Sequence, residues 1–282
     1  MPKPRPEVER CAAIYRLAVP ERVGRGRAGE RLGRGTGSSL EFQDRRSYAV
    51  GDDVRHLDWR AFGRTDQLLV RVYREEIAPR VEVLLDASKS MAVDPNKAQL
   101  AVDLAALLLR LARADGFHAR LVVVGDRSEP AEPAAFDASG IELASSRPLI
   151  VGIQESLTWL VPGSMRFLVS DFLSPHDAPS LVRPLAAQAG SLGLLQVVSR
   201  DDLAPAIGSA LRLTDSETGE ILDLVMDSAT VEAYATRIRR LVDALETECR
   251  RAGGHFLTAP SGSTLEEVCR NRLLPDRWLS IG

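Results

Sequence analysis

The chain has 282 residues, with 36 Lys and Arg against 39 Asp and Glu and a formal net charge of −3. Its apolar content of 45% is enough for a buried core and argues against a disordered protein. The chain has a basic run at residues 21–35, but such runs are often solvated surface, so nucleic acid is not the expected partner. No apolar run approaches the roughly 20 residues needed to span a bilayer.

The first 38 residues are predicted to be a helix followed by an Arg/Gly-rich linker. Apolar residues at helical spacing predict the helix over 7–19. Residues 21–35 are rich in Arg and Gly but lack interleaved aromatic residues, so base stacking is poorly supported. The polar, proline-rich N-terminus does not resemble a signal peptide, and the three cysteines form no CxxC pair. We therefore expect a cytoplasmic protein with reduced thiols at Cys11, Cys249 and Cys269.

Residues 39–80 are predicted to be a β-rich segment, with its clearest strand at 67–76. Within it, residues 41–59 combine acidic, basic and aromatic side chains: Glu41, Phe42, Asp44, Arg46, Tyr48, Gly51, Asp52, Asp53, Arg55, Asp58 and Trp59. Arginine–carboxylate pairs of this kind more often organise a fold than bind a ligand, so we interpret most of them as structural. Trp59 is the residue best suited to a docking surface.

Residues 81–282 alternate between predicted strands and helices, which is typical of a parallel sheet covered by helices on both faces. The expected strands are 81–85, 119–125, 166–170, 193–198 and 254–258. The expected helices are 97–114, 149–160, 178–189, 228–252 and 264–273. A hairpin is predicted over 211–225, with its turn at Asp215–Glu220. The predicted fold class is α/β, with a doubly wound, mostly parallel sheet and an N-terminal β-rich elaboration.

The stretch VEVLLDASKSM, residues 81–91, places three oxygen-bearing side chains after a buried strand. Asp86 ends the apolar run, and Ser88 and Ser90 follow at alternate positions. Open α/β sheets bind ligands at the carboxyl ends of their strands, and hard cations prefer oxygen ligands. The pattern therefore predicts a site for Mg²⁺, or for Mn²⁺ or Ca²⁺. In the alternative interpretation, Ser90 or Asp94 simply caps the helix that follows.

A second carboxylate follows another predicted buried strand, in RFLVSDFLS, residues 166–174. Two neighbouring strands would bring Asp171 and Asp86 to the same crevice. We therefore expect Asp171 to contribute to the metal site, directly or through water. The alternative is that Asp171 caps the turn before the helix near residue 178.

The spacing Asp86, Ser88, Ser90 resembles the metal-ion-dependent adhesion site of von Willebrand factor A domains. The segment 41–59 and the later Val169–Phe172 resemble the domain of unknown function 58 family, in which such a segment precedes a von Willebrand factor A-like domain. The resemblance covers about residues 20–275. It implies a partnership with a MoxR-type AAA+ ATPase in chaperone-like assembly or activation of other proteins.

Von Willebrand factor A domains complete the metal site with a threonine, which residues 138–152 lack. Ser145, Ser146, Arg147 and Pro148 stand in that region instead. A serine could substitute for the threonine, or the guanidinium of Arg147 could take the place of a cation.

The leading hypothesis is a non-enzymatic interaction module, with a metal held by Asp86, Ser88, Ser90 and Asp171 that accepts an acidic side chain of a partner protein. One alternative is a metal-free scaffold with a degenerate site. A metal-dependent hydrolase is less well supported, because the sequence has no obvious general base, no HxxE pairing and no glycine-rich phosphate loop.

Overall fold

The computed structural model describes residues 1–18, 40–75, 80–174, 176–203, 210–214, 221–225 and 227–282. They fall into two compact units, one within Met1–Val23 and Pro79–Gly282 and the other within Gly24–Ala78. The Arg/Gly-rich stretch 21–35 and the turn Asp215–Glu220 lie outside the described residues. None of the helices in the described part combines the length and apolarity that crossing a bilayer requires.

The larger unit contains most of the secondary structure. Its helices are α1 (Pro6–Ile14), α3 (Lys89–Ala92), α4 (Pro95–Ala114), α5 (Pro133–Ser139), α6 (Leu149–Ser156), α7 (Ala178–Ala186), α8 (Arg200–Leu203), α9 (Ser228–Arg251) and α10 (Leu265–Val268); α2 (Trp59–Thr65) belongs to the smaller unit. The strands are β1 (Tyr15–Leu17), β2 (Leu40–Ser47), β3 (Leu69–Glu75), β4 (Arg80–Asp86), β5 (His118–Val124), β6 (Glu129–Pro130), β7 (Met165–Ser170), β8 (Ser191–Val198), β9 (Ala210–Thr214), β10 (Ile221–Val225), β11 (His255–Pro260) and β12 (Leu279–Ile281), of which β2 and β3 lie in the smaller unit. Short 3₁₀ turns cover Val54–His56 and Leu157–Trp159, and a π-turn covers Cys269–Leu273.

The central sheet has six strands in the order β11-β8-β7-β4-β5-β6. All neighbouring pairs are parallel except the edge pair β5 and β6, which is antiparallel. The chain enters at β4, proceeds to β5 on one side, and then crosses to β7 on the other. This reversal is the topological switch point at which open α/β sheets place their ligands.

Two apolar layers cover the sheet, because alternate strand residues point to opposite faces. In β4, Val83 and Leu85 belong to the cluster that contains α1, α4 and α10. Leu84 belongs to the cluster formed with α6, α7 and α9. The predicted α/β class, a doubly wound and mostly parallel sheet with helices on both faces, is confirmed by this arrangement.

The N-terminal helix is shorter than the helix predicted over 7–19. It ends at Ile14, and residues Tyr15–Leu17 pair as an antiparallel strand with Leu279–Ile281. Tyr15 and Leu17 are buried, as their apolar character suggested, but in a strand. Backbone pairing with a segment more than 260 residues away decides the conformation here, which local periodicity cannot reveal.

The two strands of the predicted hairpin are confirmed. β9 and β10 form an antiparallel pair in which Thr214 lies opposite Ile221 and Ala210 lies opposite Val225. The helix predicted over 149–160 continues past Ser156 only as a 3₁₀ turn. The helix predicted over 264–273 changes to a π-turn at Cys269.

In the smaller unit, β2 and β3 form an antiparallel pair, and β3 (Leu69–Glu75) lies within the strand predicted over 67–76. The helix α2, between them, was not predicted. Asp58, only 2% exposed, accepts hydrogen bonds from the backbone N–H of Arg60 and Ala61 at the start of α2, and its other oxygen accepts one from Arg45 Nε at 2.8 Å. One acidic side chain therefore both caps the helix and joins it to β2.

Further ion pairs organise the turn that follows β2. Arg46 donates two hydrogen bonds to the carboxylate of Asp52, at 2.7 and 2.6 Å, and Arg55 pairs with Asp53 at 2.7 Å. Gly51 adopts φ +108°, a backbone conformation that glycine reaches more easily than other residues. These pairs link neighbouring parts of the segment. The side chains of Glu41, Phe42 and Asp44 lie outside the described part of the protein.

Candidate functional site

The switch point of the sheet brings together the two carboxylates that the sequence predicted. Asp86 is the last residue of β4, and Asp171 directly follows β7, the neighbouring parallel strand. Leu85 pairs in register with Val169, so Asp86 and Ser170 come next on the two strands. Both carboxylates are buried, with 2% and 1% of their surface exposed.

Asp86 is held by two hydrogen bonds from neighbouring residues. Its Oδ1 accepts from the backbone N–H of Ser88 at 2.9 Å, and its Oδ2 accepts from the hydroxyl of Ser170 at 2.6 Å. Burial raises the pKa of Asp86 to about 6, and the nearby charge of Asp171 adds to the rise, although the hydrogen bonds oppose it. The carboxylate is therefore fixed in orientation and short of neighbouring positive charge.

The two serines of the motif turn their hydroxyl groups toward each other. Ser88 Oγ and Ser90 Oγ are 2.9 Å apart. Ser88 is buried and Ser90 is half-buried. Ser88 occupies the N-cap position of α3 without making a side-chain cap, whereas Asp94 caps α4 by accepting from the backbone N–H of Asn96. Helix capping therefore explains Asp94 and leaves the two serine hydroxyls without that role.

Asp171 is paired with a cation that the sequence analysis did not identify. Lys97 Nζ lies 2.9 Å from Asp171 Oδ2, and both side chains are almost fully buried. The other carboxylate oxygen accepts from the backbone N–H of Leu173 at 3.0 Å. Asp171 therefore closes a local turn, and the helix α7 is capped by Asp177 instead.

The backbone after Asp171 adopts an unusual conformation. Phe172 has φ +57°, in the left-handed region, although it is a fully buried aromatic residue. Its N–H donates to Ser170 Oγ at 3.0 Å, and Gln196 Nε2 donates to the carbonyl oxygen of Asp171 at 3.0 Å. These bonds hold the carboxylate at the edge of the sheet.

Two more groups approach the same end of the sheet. Lys97 Nζ lies 3.7 Å from Asp202 in α8, so its charge is shared between two carboxylates. Burial raises the pKa of Tyr234 to about 12, with the charges of Asp202 and Asp171 adding to the rise. The contacts of Lys97 with Asp171 and Asp202 join segments at least 74 residues apart. Within α4, Lys97 shares a helical stripe with the buried Ala101, Leu104 and Leu108.

The loop that lacks the threonine, within residues 138–152, runs beside the motif. Ser88 and Ser145 form a parallel bridge, and Ser145 Oγ donates to Asp126 Oδ1 at 2.7 Å and accepts from the backbone N–H of Arg147 at 3.1 Å. The guanidinium of Arg147 donates to the carbonyl oxygen of Asp126 and pairs with Glu155. Arg147 is thus engaged away from Asp171, and Lys97 is the cation beside that carboxylate.

The oxygen donors at the switch point have the chemistry of a hard-cation site. The Ser88 and Ser90 hydroxyl oxygens, which hydrogen-bond to each other at 2.9 Å, are separated by about the distance between adjacent ligands of an octahedral Mg²⁺ ion with bonds of about 2.0–2.1 Å. Across the described ranges, no group of three or more His, Cys, Asp and Glu side chains is placed to hold a metal. A cation here would therefore depend on hydroxyl oxygens beside a single well-placed carboxylate, which is compatible with Mg²⁺ and less so with Zn²⁺.

The sequence matches one family model and several uncharacterized relatives. The model of a family described as protein of unknown function DUF58 matches residues 44–243. Uncharacterized proteins of Mycobacterium tuberculosis and Mycobacterium bovis are 24% identical over 246 residues, which cover 82% of this chain and 77% of theirs.

Two solved structures resemble the chain weakly. One is an aerotolerance-related membrane protein from Bacteroides fragilis with multiple mutations to serines, at 13% identity and a TM-score of 0.41, covering 68% of this chain and 98% of that one. The other is a conserved hypothetical protein, BatB, from Bacteroides thetaiotaomicron, at 11% identity and a TM-score of 0.40, covering 71% and 98%.

Proposed function

Because the chain belongs to the DUF58 family, whose function is unknown, we propose a role for it from its own site. It is a non-enzymatic protein-interaction module that recognises an acidic side chain of a partner protein through a divalent cation, Mg²⁺ in the first instance. The cation is held by Asp86, Ser88 and Ser90, with Asp171 beside them.

One observation carries the proposal: the paired hydroxyls of Ser88 and Ser90 lie next to a buried, oriented carboxylate at the switch point of the sheet. Burying a carboxylate is costly unless a positive charge or donors compensate for it. Two hydrogen bonds fix Asp86 without neutralising it, so a cation at the serine hydroxyls would supply the missing charge.

Each residue has a separate task in this proposal. Ser88 and Ser90 present oxygen lone pairs, and Asp86 supplies negative charge from the end of β4. Ser170 orients Asp86 through its hydrogen bond to Oδ2. The bound cation would supply an open coordination position that attracts a carboxylate.

The proposed partner follows from the family resemblance rather than from the site. We propose that the module works with a MoxR-type AAA+ ATPase in chaperone-like assembly or activation of other proteins. Affinity capture of such an ATPase by the parent chain, and its loss in the Ser88→Ala/Ser90→Ala variant, would support this step.

The site itself is tested by isothermal titration of Mg²⁺ and Mn²⁺ into chelator-treated protein. We expect saturable binding by the parent chain. We expect none in Asp86→Ala, which lacks the negative charge, or in Ser88→Ala/Ser90→Ala, which lacks the hydroxyl ligands. Asp137→Asn is the matched control. Asp137 pairs with Arg110, about 20 Å along α4 from Lys97, so binding should be unchanged. Unaltered binding by Asp86→Ala would refute the assignment.

A metal-free scaffold is the second candidate, and the Lys97–Asp171 pair favours it. A buried ammonium already compensates one of the two carboxylates. In that case the parent chain would show no heat of Mg²⁺ binding at millimolar concentration, and partner capture would survive both chelation and the serine substitutions.

A further inference from the structure

We infer that Lys97 is a built-in competitor of the divalent cation: its ammonium neutralises Asp171 and thereby sets how weakly the site binds metal. The inference deepens the proposed function, on which it rests, by identifying the residue that controls occupancy of the same site.

Lys97 occupies a position in its helix that is unfavourable for a positive charge. Lys97 lies in the first turn of α4, which begins at Pro95. The N-terminal end of a helix carries partial positive charge, so a cation is disfavoured there, and a buried one more so. Lys97 is nevertheless only 3% exposed. The cost must be offset by specific partners.

Two carboxylates are the partners of Lys97. Asp171 Oδ2 lies 2.9 Å from the ammonium and Asp202 Oδ2 lies 3.7 Å from it. Asp171 is 2% exposed at its side chain and Asp202 25%, so the shorter contact is also the one better shielded from water. A close pair in a dry environment interacts more strongly than an exposed one, so Lys97 acts mainly on Asp171.

The charges near the motif act on any cation that approaches it. The buried cluster holds two acidic groups, Asp86 and Asp171, and one fixed positive charge. A divalent cation that approaches Ser88 and Ser90 is attracted by the carboxylates and repelled by the ammonium. This repulsion lowers the affinity of the site for the divalent cation.

The test compares Mg²⁺ and Mn²⁺ titrations of the chelator-treated parent chain, Lys97→Met and Lys97→Arg. Methionine keeps the length and apolar stem of lysine and removes its charge. We expect Lys97→Met to bind Mg²⁺ at least tenfold more tightly than the parent, because Asp171 is released. Lys97→Arg keeps the charge and should bind no more tightly than the parent.

Thermal denaturation supplies a readout apart from binding heat. Lys97→Met should melt at a lower temperature than the parent in chelator, since two carboxylates lose their cation. Added Mg²⁺ should then raise the melting temperature of Lys97→Met by more than it raises that of the parent, because a ligand that binds the folded state more tightly stabilises it more.

The double variant Lys97→Met/Asp171→Asn keeps the test usable if Lys97→Met alone does not fold in chelator. It has the same net charge at the site as the parent. An affinity within threefold of the parent supports the inference, whereas a loss as large as that of Asp171→Asn alone overturns it.

The outcomes separate this inference from the proposed function. Equal binding by the parent and Lys97→Met overturns the inference and leaves the metal site standing. Binding by Lys97→Met alone supports the inference and refutes metal binding by the natural site. Absence of binding in both overturns both.

Discussion

At the scale of single residues, burial controls the chemistry of the three cysteines. Cys11, Cys249 and Cys269 are free thiols, each no more than 2% exposed. Burial raises the pKa of all three, that of Cys249 to about 12. Since the thiolate is the nucleophile, a raised pKa means that less of the reactive form exists at any given pH below it.

We therefore predict that the native protein reacts with a disulfide reagent such as Ellman's reagent more than about 100-fold more slowly at pH 8 than the unfolded chain. Below the raised pKa values the rate should rise about tenfold per pH unit, as the thiolate fraction does, and it should also rise when the chain unfolds. A Ser139→Cys variant, at an exposed position of α5, is the control that reacts quickly in the native state. Rapid labelling of a natural cysteine in the native parent would contradict the prediction.

At the scale of secondary-structure elements, the smaller unit depends on Asp58. One carboxylate caps α2 and pairs with Arg45 on β2 while almost completely buried. Removing it leaves two backbone N–H groups and a guanidinium without this acceptor. Such losses cost about 1 kcal/mol for a cap and more for a charged hydrogen bond.

We predict that Asp58→Ala destabilises α2 by about 1–3 kcal/mol, with faster hydrogen exchange over residues 59–65 as the measurement. Asp58→Asn keeps an oxygen acceptor at the same place and should lose less. If both variants exchange as slowly as the parent, the cap does not hold the helix.

In the larger unit, the burial of β1 leads to a prediction about the free energy of unfolding. Tyr15 is 4% exposed and packs in the main apolar cluster, whereas its neighbour Ile14 is 46% exposed. Tyr15→Ala should lower the free energy of unfolding by about 3 kcal/mol through lost burial and a cavity, as for other buried aromatic residues. Ile14→Ala, the matched control, should change it by less than about 0.5 kcal/mol. Chemical denaturation would measure both, and similar losses in the two variants would argue against the strand assignment.

At the scale of the whole molecule, the sequence was most informative where a short apolar run ended in a polar residue. The strand that ends in Asp86 and the one that precedes Asp171 were both predicted, and parallel order alone then placed the two carboxylates at one edge. Fully buried strands have a recognisable composition, and their carboxyl ends share one side of the sheet.

Long-range pairing was the part that could not be predicted. The periodic pattern over 7–19 continues past Ile14, yet the chain leaves the helix to pair with β12. The short helix α2 was missed because its seven residues include Gly63 and give too little periodicity. Lys97 was visible as a lysine on an apolar helical stripe, but such residues usually extend their charge into water. Only the tertiary structure shows that this one is enclosed beside Asp171.

The antiparallel pairing of β1 with β12 has a mechanical consequence. Tyr15 lies opposite Ile281, and Leu17 lies opposite Leu279. The N-terminal end of β1 and the C-terminal end of β12 therefore lie at the same end of the ladder. A force that pulls these ends apart would load the hydrogen bonds one after another, beginning with that of Gly282 N–H to the carbonyl oxygen of Ile14. Tension applied at Tyr15 and Ile281 would therefore open this ladder one hydrogen bond at a time instead of shearing all of its bonds together.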